Sequence, residues 1–323
     1  MHKLRIFLSI LFLLLIIFIS FFLYFLQSLN SSVGHIAQDT KFIINPGQSL
    51  GEISDQLQDL GIISSAQYFK FYAVITRKDQ SLKAGEYLFE PNEKIVTVLN
   101  KIVNNDTYER YLTIPEGLTS IQILNLINNA EGMNDAQLET LDEGSILPET
   151  YNYSWGGDRK ELLHRMKKSL EDFVEKAWLL RKDNLPFSSI NEALILASIV
   201  EKETSLERER SKVASVFVNR LRKGMRLQSD PTVIYGIDKN GFLGRKITRS
   251  DLNGYTEFNT YKIPGLPPNP ICHAGKSSIM AVLNPEETDY LYFVADGLGG
   301  HVFAKTLRAH NKNVSKWRRL ENK

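Results

Sequence analysis

The longest unbroken apolar run in the chain lies at its amino terminus. Residues 6–26 are apolar except for Ser9, Ser20 and Tyr24. At about 1.5 Å of rise per residue, a helix of that length crosses a hydrocarbon core of about 30 Å. Lys3 and Arg5 precede it, which predicts residues 1–5 in the cytoplasm and everything after Gln27 outside it. The run is longer than the apolar region of a cleaved signal peptide, and no small-residue cleavage site follows. The expectation is an uncleaved, single-pass membrane anchor with the rest of the chain extracytoplasmic. Residues 27–40 are polar and read as a stalk.

Beyond the stalk the period alternates between strand and helix. Residues 41–45 have strand character, Pro46-Gly47 is a turn, and Ser49 caps a helix with apolar positions Ile53, Leu57 and Leu60 that Gly61 ends. A second helix over 67–75 and a return strand over 85–89 complete a small α+β unit. Residues 94–130 echo it: a strand over 111–114, a turn at Pro115-Glu116-Gly117, and a helix capped by Thr119 through Ile121, Leu124 and Ile127. Residues 131–153 are acidic and broken by Gly132, Gly144 and Pro148, and 131–158 read as a boundary. Tyr151, Tyr153 and Trp155 form an aromatic cluster there, either core or a platform for sugar rings.

The rest, 159–323, reads as a mixed helical and β domain. Leu162, Leu163, Met166, Leu170, Phe173 and Ala177 recur at helical spacing over 159–182. A helix starting at Ser189 follows, then one over 205–223 with Val213, Val216, Phe217 and Leu221 inward and Gly224 as its stop. From Met225 the chain is polar and loop-like, and 241–275 has the Gly and Pro density of a long irregular segment, which usually serves function. Two strands, 290–295 and 301–304, flank a glycine-rich turn, and 311–320 is a basic helix. The predicted fold class is α+β: an N-terminal transmembrane helix at 6–26, an α+β region over 41–130 and a mixed helical and β domain over 159–323.

Composition narrows the function. The chain has 323 residues, 24% of them charged, with a formal net charge of +2, so a nucleic-acid partner is not favoured. Cys272 is the sole cysteine, which excludes an internal disulfide framework and suits a zinc site poorly. No cofactor or metal is implied.

One carboxylate stands out. Ser189 and Glu192 have capping-box spacing, and Leu194, Ile195, Leu196, Ala197, Ile199 and Val200 follow without a charge. Glu201 and Glu203 close the run. Two residues apart, they are rotated by about 200° and face opposite ways. Glu203 lies over Ile199 and Val200 on the apolar stripe, whereas Glu201 lies over Ala197 and Ser198. Thr204 and Glu207 repeat the capping-box spacing, which predicts the helix end near Glu203. A carboxyl among apolar neighbours at the negative end of a helix has its charged form disfavoured twice, so its pKa rises from about 4.3 towards neutrality, the requirement for a general acid. The alternative is a structural cap or an ion pair with an arginine.

The strings ASIVEKET, KVASVFVNRLRKGMRLQSDPTVIYG, NTYKIPGLPPNPI, LYFVADGLGGHVF and HNKNV resemble the MltG (YceG-like) family of endolytic peptidoglycan transglycosylases. The 41–90 unit, with PGQSL at its first turn, resembles the LysM glycan-binding module; a packing unit without ligand is the other reading. The family resemblance implies one essential glutamate at Glu203, non-hydrolytic cleavage of the MurNAc–GlcNAc β-1,4 bond and a 1,6-anhydro end. It implies glycan strands as substrate, with peptidoglycan synthases and the elongation or division machinery as partners. Glu201, Asn219, Gln228, Asp230, Tyr235, Asn259, Tyr261 and His301 are candidates for binding or supporting roles, His301 equally a structural turn histidine. Two rival readings are a Ser198–Lys202 dyad, four apart on one helix face, and a membrane-anchored glycan-binding scaffold without activity.

Overall fold

The structure is a computed structural model that describes residues 2–31 and 34–321. Met1 of the expected cytoplasmic terminus and Ser32 and Val33 of the expected stalk lie outside the described residues. The fold is mixed α+β. Helix α1 (His2–Ser31) carries an apolar stretch, Arg5–Phe25, of mean hydropathy 3.2. By length and composition it suffices to cross a membrane.

The chain forms two compact units, one of Met1–Arg110 with Ser154–Gly156, the other of Tyr111–Tyr153 with Gly157–Lys323. In the first, β1 (Thr40–Ile44), α2 (Leu50–Asp59), α3 (Ala66–Ile75) and β2 (Gly85–Phe89) follow the expected strand–helix–helix–strand order. The strands pair antiparallel, Phe42 opposite Tyr87. Ser49 accepts from the Glu52 amide and Glu52 from the Ser49 amide, a complete capping box. Helix α4 (Ile95–Asn104), not foreseen from the sequence, contributes Ile95, Val98, Leu99 and Ile102 to the core. Buried Glu86 is held bidentate by Arg110, at 2.6 and 2.9 Å, and the Arg110 guanidinium lies over Trp155. Tyr151 is buried in the second unit.

The second unit begins at Tyr111, within β3 (Arg110–Thr113), which pairs with β4 (Thr150–Tyr153) in a two-stranded sheet. Between them α5 (Ser120–Asn128) starts at a Thr119–Gln122 capping box. Helices α6 (Arg159–Leu179), α7 (Ile190–Glu203), α8 (Glu207–Arg222) and α11 (Lys276–Leu283) supply most of its larger core: Leu196, Ile199 and Val200 meet Val213, Phe217, Ile279 and Val282. Hairpin strands β5 (Tyr292–Ala295) and β6 (His301–Ala304) pair antiparallel, and α12 (Leu307–Glu321) closes the chain.

Several local expectations need correction. Leu60 and Ile121 are not core positions: they are about half exposed, and Ile123 takes the buried place in α5. Helix α9 (Asp230–Ile237) stands where a loop was expected, because Pro231 in the first turn is compatible with a helix start. Helix α11 was not foreseen; its run Ile279–Leu283 is short and buried on nearly every side, so it carries little helical periodicity. The segment 241–275 is otherwise irregular as expected, with only α10 (Arg249–Asn253) in it.

The two leucines of α2 and its C-cap give a direct test. Leu57 is fully buried and Leu60 half exposed. Leu57→Ala is expected to cost about 2–5 kcal/mol in chemical denaturation and Leu60→Ala no more than about 0.5 kcal/mol; equal losses would contradict this packing.

Candidate functional site

Helix α7 aims its last residue into a cleft. Its start is fixed by the foreseen capping box: the Glu192 amide donates to Ser189 Oγ at 3.2 Å, and the Ser189 amide to Glu192 at 3.1 Å. Fourteen residues long, the helix ends at Glu203. Thr204 is the C-cap, with extended backbone, and its hydroxyl accepts from the Leu206 amide at 3.1 Å. The expected Thr204–Glu207 box is therefore not formed: Leu206 caps α8 without a side-chain bond, and Glu207 pairs with Arg210.

Glu203 opens onto a cleft of about 370 Å³ that it shares with Phe217, Arg220, Gln228, Asp230, Tyr261, Tyr292, Phe293, Leu307 and His310. Its pKa is pushed up to about 7, first by withdrawal from water and then by the charge of Asp230. Opposing this, Ser229 Oγ donates to Glu203 Oε1 at 2.5 Å, and His301 and Arg220 add positive potential. A carboxyl balanced in this way is protonated for much of the time near pH 7 and is ready to give the proton away.

The strap that carries Ser229 is held rigidly. Ser229 donates its amide to Thr260 Oγ1 at 2.9 Å and receives the Thr232 hydroxyl on its carbonyl at 2.6 Å. Thr232 and Thr260 share a 2.8 Å hydroxyl contact, and both are fully buried. Next to it, Gln228 takes a left-handed φ of 52°, uncommon for a residue with a Cβ. Tyr261 donates its hydroxyl to Asp230 Oδ1 at 2.7 Å, and buried Asn259 accepts from the Tyr261 amide at 2.9 Å. Gln228, Asp230 and Tyr261 thus gather around Glu203, with Asn259 behind them as the support of Tyr261.

The other candidates lie elsewhere. Glu201 is on the opposite side of α7, accepting from the Gly275 amide at 3.0 Å, with Arg210 at 3.9 Å. Asn219 donates to the carbonyls of Thr288 and Tyr290, at 2.7 and 3.1 Å. Tyr235 is buried and donates to Glu143 at 2.9 Å, beside His273, whose pKa burial pushes down to about 4. His301 Nδ1 is 2.8 Å from Glu209 Oε2, and its ring sits edge-on to Phe293 of the cleft wall. The Ser198–Lys202 dyad does not form: fully buried Ser198 donates to the Ile195 carbonyl and accepts from the Ile271 amide, while Lys202 donates to the Gly117 carbonyl.

Two polar cleft residues, Arg220 and His310, and the buried Ser229 that bonds Glu203 escaped the sequence reading. Arg220 donates to the carbonyls of Leu291 and Leu227. It lies on the Val216–Phe217 stripe of α8, so the helix phase that marks Glu203 marks it as well. His310 stacks on Tyr292, and its Nδ1 is buried without a partner among the described residues. Desolvation and Arg220 hold its ring below the ordinary histidine pKa.

The family model described as the YceG-like family matches residues 42–316. The chain belongs to the YceG-like family. A Bacillus subtilis (strain 168) protein named endolytic murein transglycosylase is 31% identical over 318 residues, covering 87% of each chain. A Streptococcus pneumoniae (serotype 2, strain D39) protein of the same name is 27% identical over 321 residues; the alignment covers 84% of this chain and 57% of that longer relative. The crystal structure of a YceG-like protein from Listeria monocytogenes superposes with a TM-score of 0.53 at 32% identity, covering 85% of this chain and 99% of that one.

The pKa of Glu203 yields two expectations. Ser229→Ala removes a donor that favours the carboxylate, so the Glu203 pKa should climb from about 7 by about one further unit in a carboxyl-carbon NMR titration. The native state also holds this proton where the unfolded chain has released it. Its contribution to stability therefore falls as pH rises from the ordinary value of 4.5 to about 7. Glu203→Gln should be relieved of that loss, gaining on the order of 3 kcal/mol over the wild type at pH 8 relative to pH 4; parallel stability curves would contradict the burial described.

Proposed function

We propose that this YceG-like chain is an endolytic murein transglycosylase, a lyase that cuts the MurNAc–GlcNAc β-1,4 bond within glycan strands, with Glu203 as its single acid and base. The observation that carries the reading is a near-neutral carboxyl at the end of a buried helix, opening on a cleft. The two similar proteins named endolytic murein transglycosylase support the reaction class.

In this mechanism Glu203 gives its proton to the bridging oxygen as the C1–O4 bond breaks. The 6-hydroxyl of the same MurNAc attacks C1, the C1–O6 bond forms, and the Glu203 carboxylate takes the hydroxyl proton. The products are a 1,6-anhydro end and a free 4-hydroxyl; no water is consumed, and Glu203 returns protonated. An attacking group carried by the substrate brings a large effective molarity, and one carboxyl then does the work that ordinary glycosidases divide between two. Positive charge develops at C1 as the bond breaks. Asp230 faces the same cleft as Glu203 and is suited to balance that charge, its orientation fixed by Tyr261. Gln228 is placed to bond sugar substituents. Glu201, Asn219, Asn259 and Tyr235 shape the fold around the cleft, their polar atoms being engaged within the protein.

The same reading puts α1 in the cytoplasmic membrane as a single-pass anchor, with Lys3 and Arg5 on the cytoplasmic side and the catalytic unit outside. The strand–helix–helix–strand unit is then a LysM-like holder of the glycan. Nascent strands are the substrate, and peptidoglycan synthases with the elongation or division machinery are the partners in trimming or terminating them.

Glu203→Gln tests the assignment. The variant should fold and bind glycan, yet lose about 10²–10⁴ in the rate of forming anhydro-ended muropeptides, read by mass spectrometry of digested sacculi. Ser198→Ala should leave the product yield intact. Unchanged yield from Glu203→Gln would remove Glu203 from the mechanism.

A further inference from the structure

The cleft does not stop at Tyr261. Tyr261 also lines a second depression of about 300 Å³, together with Arg249, Leu252, Asn253 and Lys262. Tyr261 is therefore a wall of both hollows.

The second hollow is basic. Arg249 is exposed, and its side chain makes no hydrogen bond or ion pair among the described residues. Lys262 donates one bond to Asn253 Oδ1, at 3.2 Å, and Arg226 reaches the Tyr261 carbonyl at 3.0 Å. Among the described residues no acid lines the hollow. The nearby acid of α10, Asp251, is already engaged bidentate by Arg245 and bonded by Thr248. Asp230 stands in the other hollow, bonded to the Tyr261 hydroxyl. The cations around Tyr261 thus face solvent without a carboxylate of their own.

A neutral sugar backbone has little use for such charge. A murein strand carries, on alternate sugars, a lactyl-linked peptide stem with free carboxylates. A strand lying over Glu203 would bring the stem of a sugar beside the scissile bond towards Tyr261. We propose that the Arg249–Lys262 depression is a subsite for the carboxylate-bearing peptide stem next to the bond that is cut. This rests on the glycan-cleaving reading above. Exposed charge pairs act weakly and are screened by salt, so the subsite tunes which strands are held and leaves the chemistry at Glu203 untouched.

The test compares glycan strands bearing stems with strands stripped by an amidase. For the full chain, KM should be on the order of threefold to tenfold lower for stem-bearing strands, and this advantage should shrink as salt rises to 1 M, where the screening length is about 3 Å. The double variant Arg249→Glu, Lys262→Glu should erase the preference and cleave stripped strands as the wild type does, with unchanged kcat and circular dichroism. Equal KM on both substrates for the wild type, or equal slowing of both by the double variant, overturns the proposal. Titration with free stem peptide is an independent measurement: saturable binding that the double variant abolishes supports the subsite, and its absence overturns it. If the wild type forms anhydro ends from neither substrate, the glycan-cleaving reading fails, and the peptide titration still decides the subsite.

Discussion

Taking the carboxyl of Glu203 away from water is the constraint on which the second unit turns. Desolvation alone would leave the group too reluctant to ionise, and full solvation would leave it deprotonated. Its value of about 7 is a compromise, reached because the Ser229 hydroxyl and the potentials of His301 and Arg220 oppose burial and Asp230. Each of these groups comes from a different element: Ser229 from the strap before α9, His301 from β6, Arg220 from α8. The core of Leu196, Ile199, Val200, Val213 and Phe217 holds those elements in register, so apolar packing sets the chemistry of a polar group it surrounds.

The rigidity of the strap follows from the same need. A donor 2.5 Å from Glu203 is useful only if it cannot drift, because hydrogen-bond strength falls steeply with geometry. Thr232 and Thr260 satisfy one another and the Ser229 backbone inside the protein. Such a closed hydroxyl network is stabilising when complete and costly when broken. Asn259 extends the scaffold to Tyr261, and through it to Asp230.

Much of this was legible from the chain alone, and the divide is physical. Helix phase at 3.6 residues per turn was enough to separate Glu203 from Glu201, and the capping box at Ser189 and Glu192 fixed where counting begins. Strands β1, β2 and β6 were visible from their alternation and turns. Contacts between distant positions were not. Ser229 meets Glu203 across 26 residues, and the orphaned nitrogen of His310 is evident only once α12 lies against β5. Asn219 and Tyr235 show the converse. A polar side chain in a motif looks the same in sequence whether it faces a substrate or closes a bond inside the fold; here both close bonds inside it. Leu60 and Ile121 show that a strand–helix unit buries only one stripe, and an apolar residue one step off that stripe goes to the surface.

Gln228 carries a last implication. A left-handed backbone costs a residue with a Cβ about 1–2 kcal/mol that glycine would escape. Glycine is absent from this corner of the cleft, and an amide with two donors and an acceptor stands there, exposed, in its place. The fold tolerates a standing conformational strain at the threshold of the acid so that a hydrogen-bonding arm is already extended when a polymer arrives.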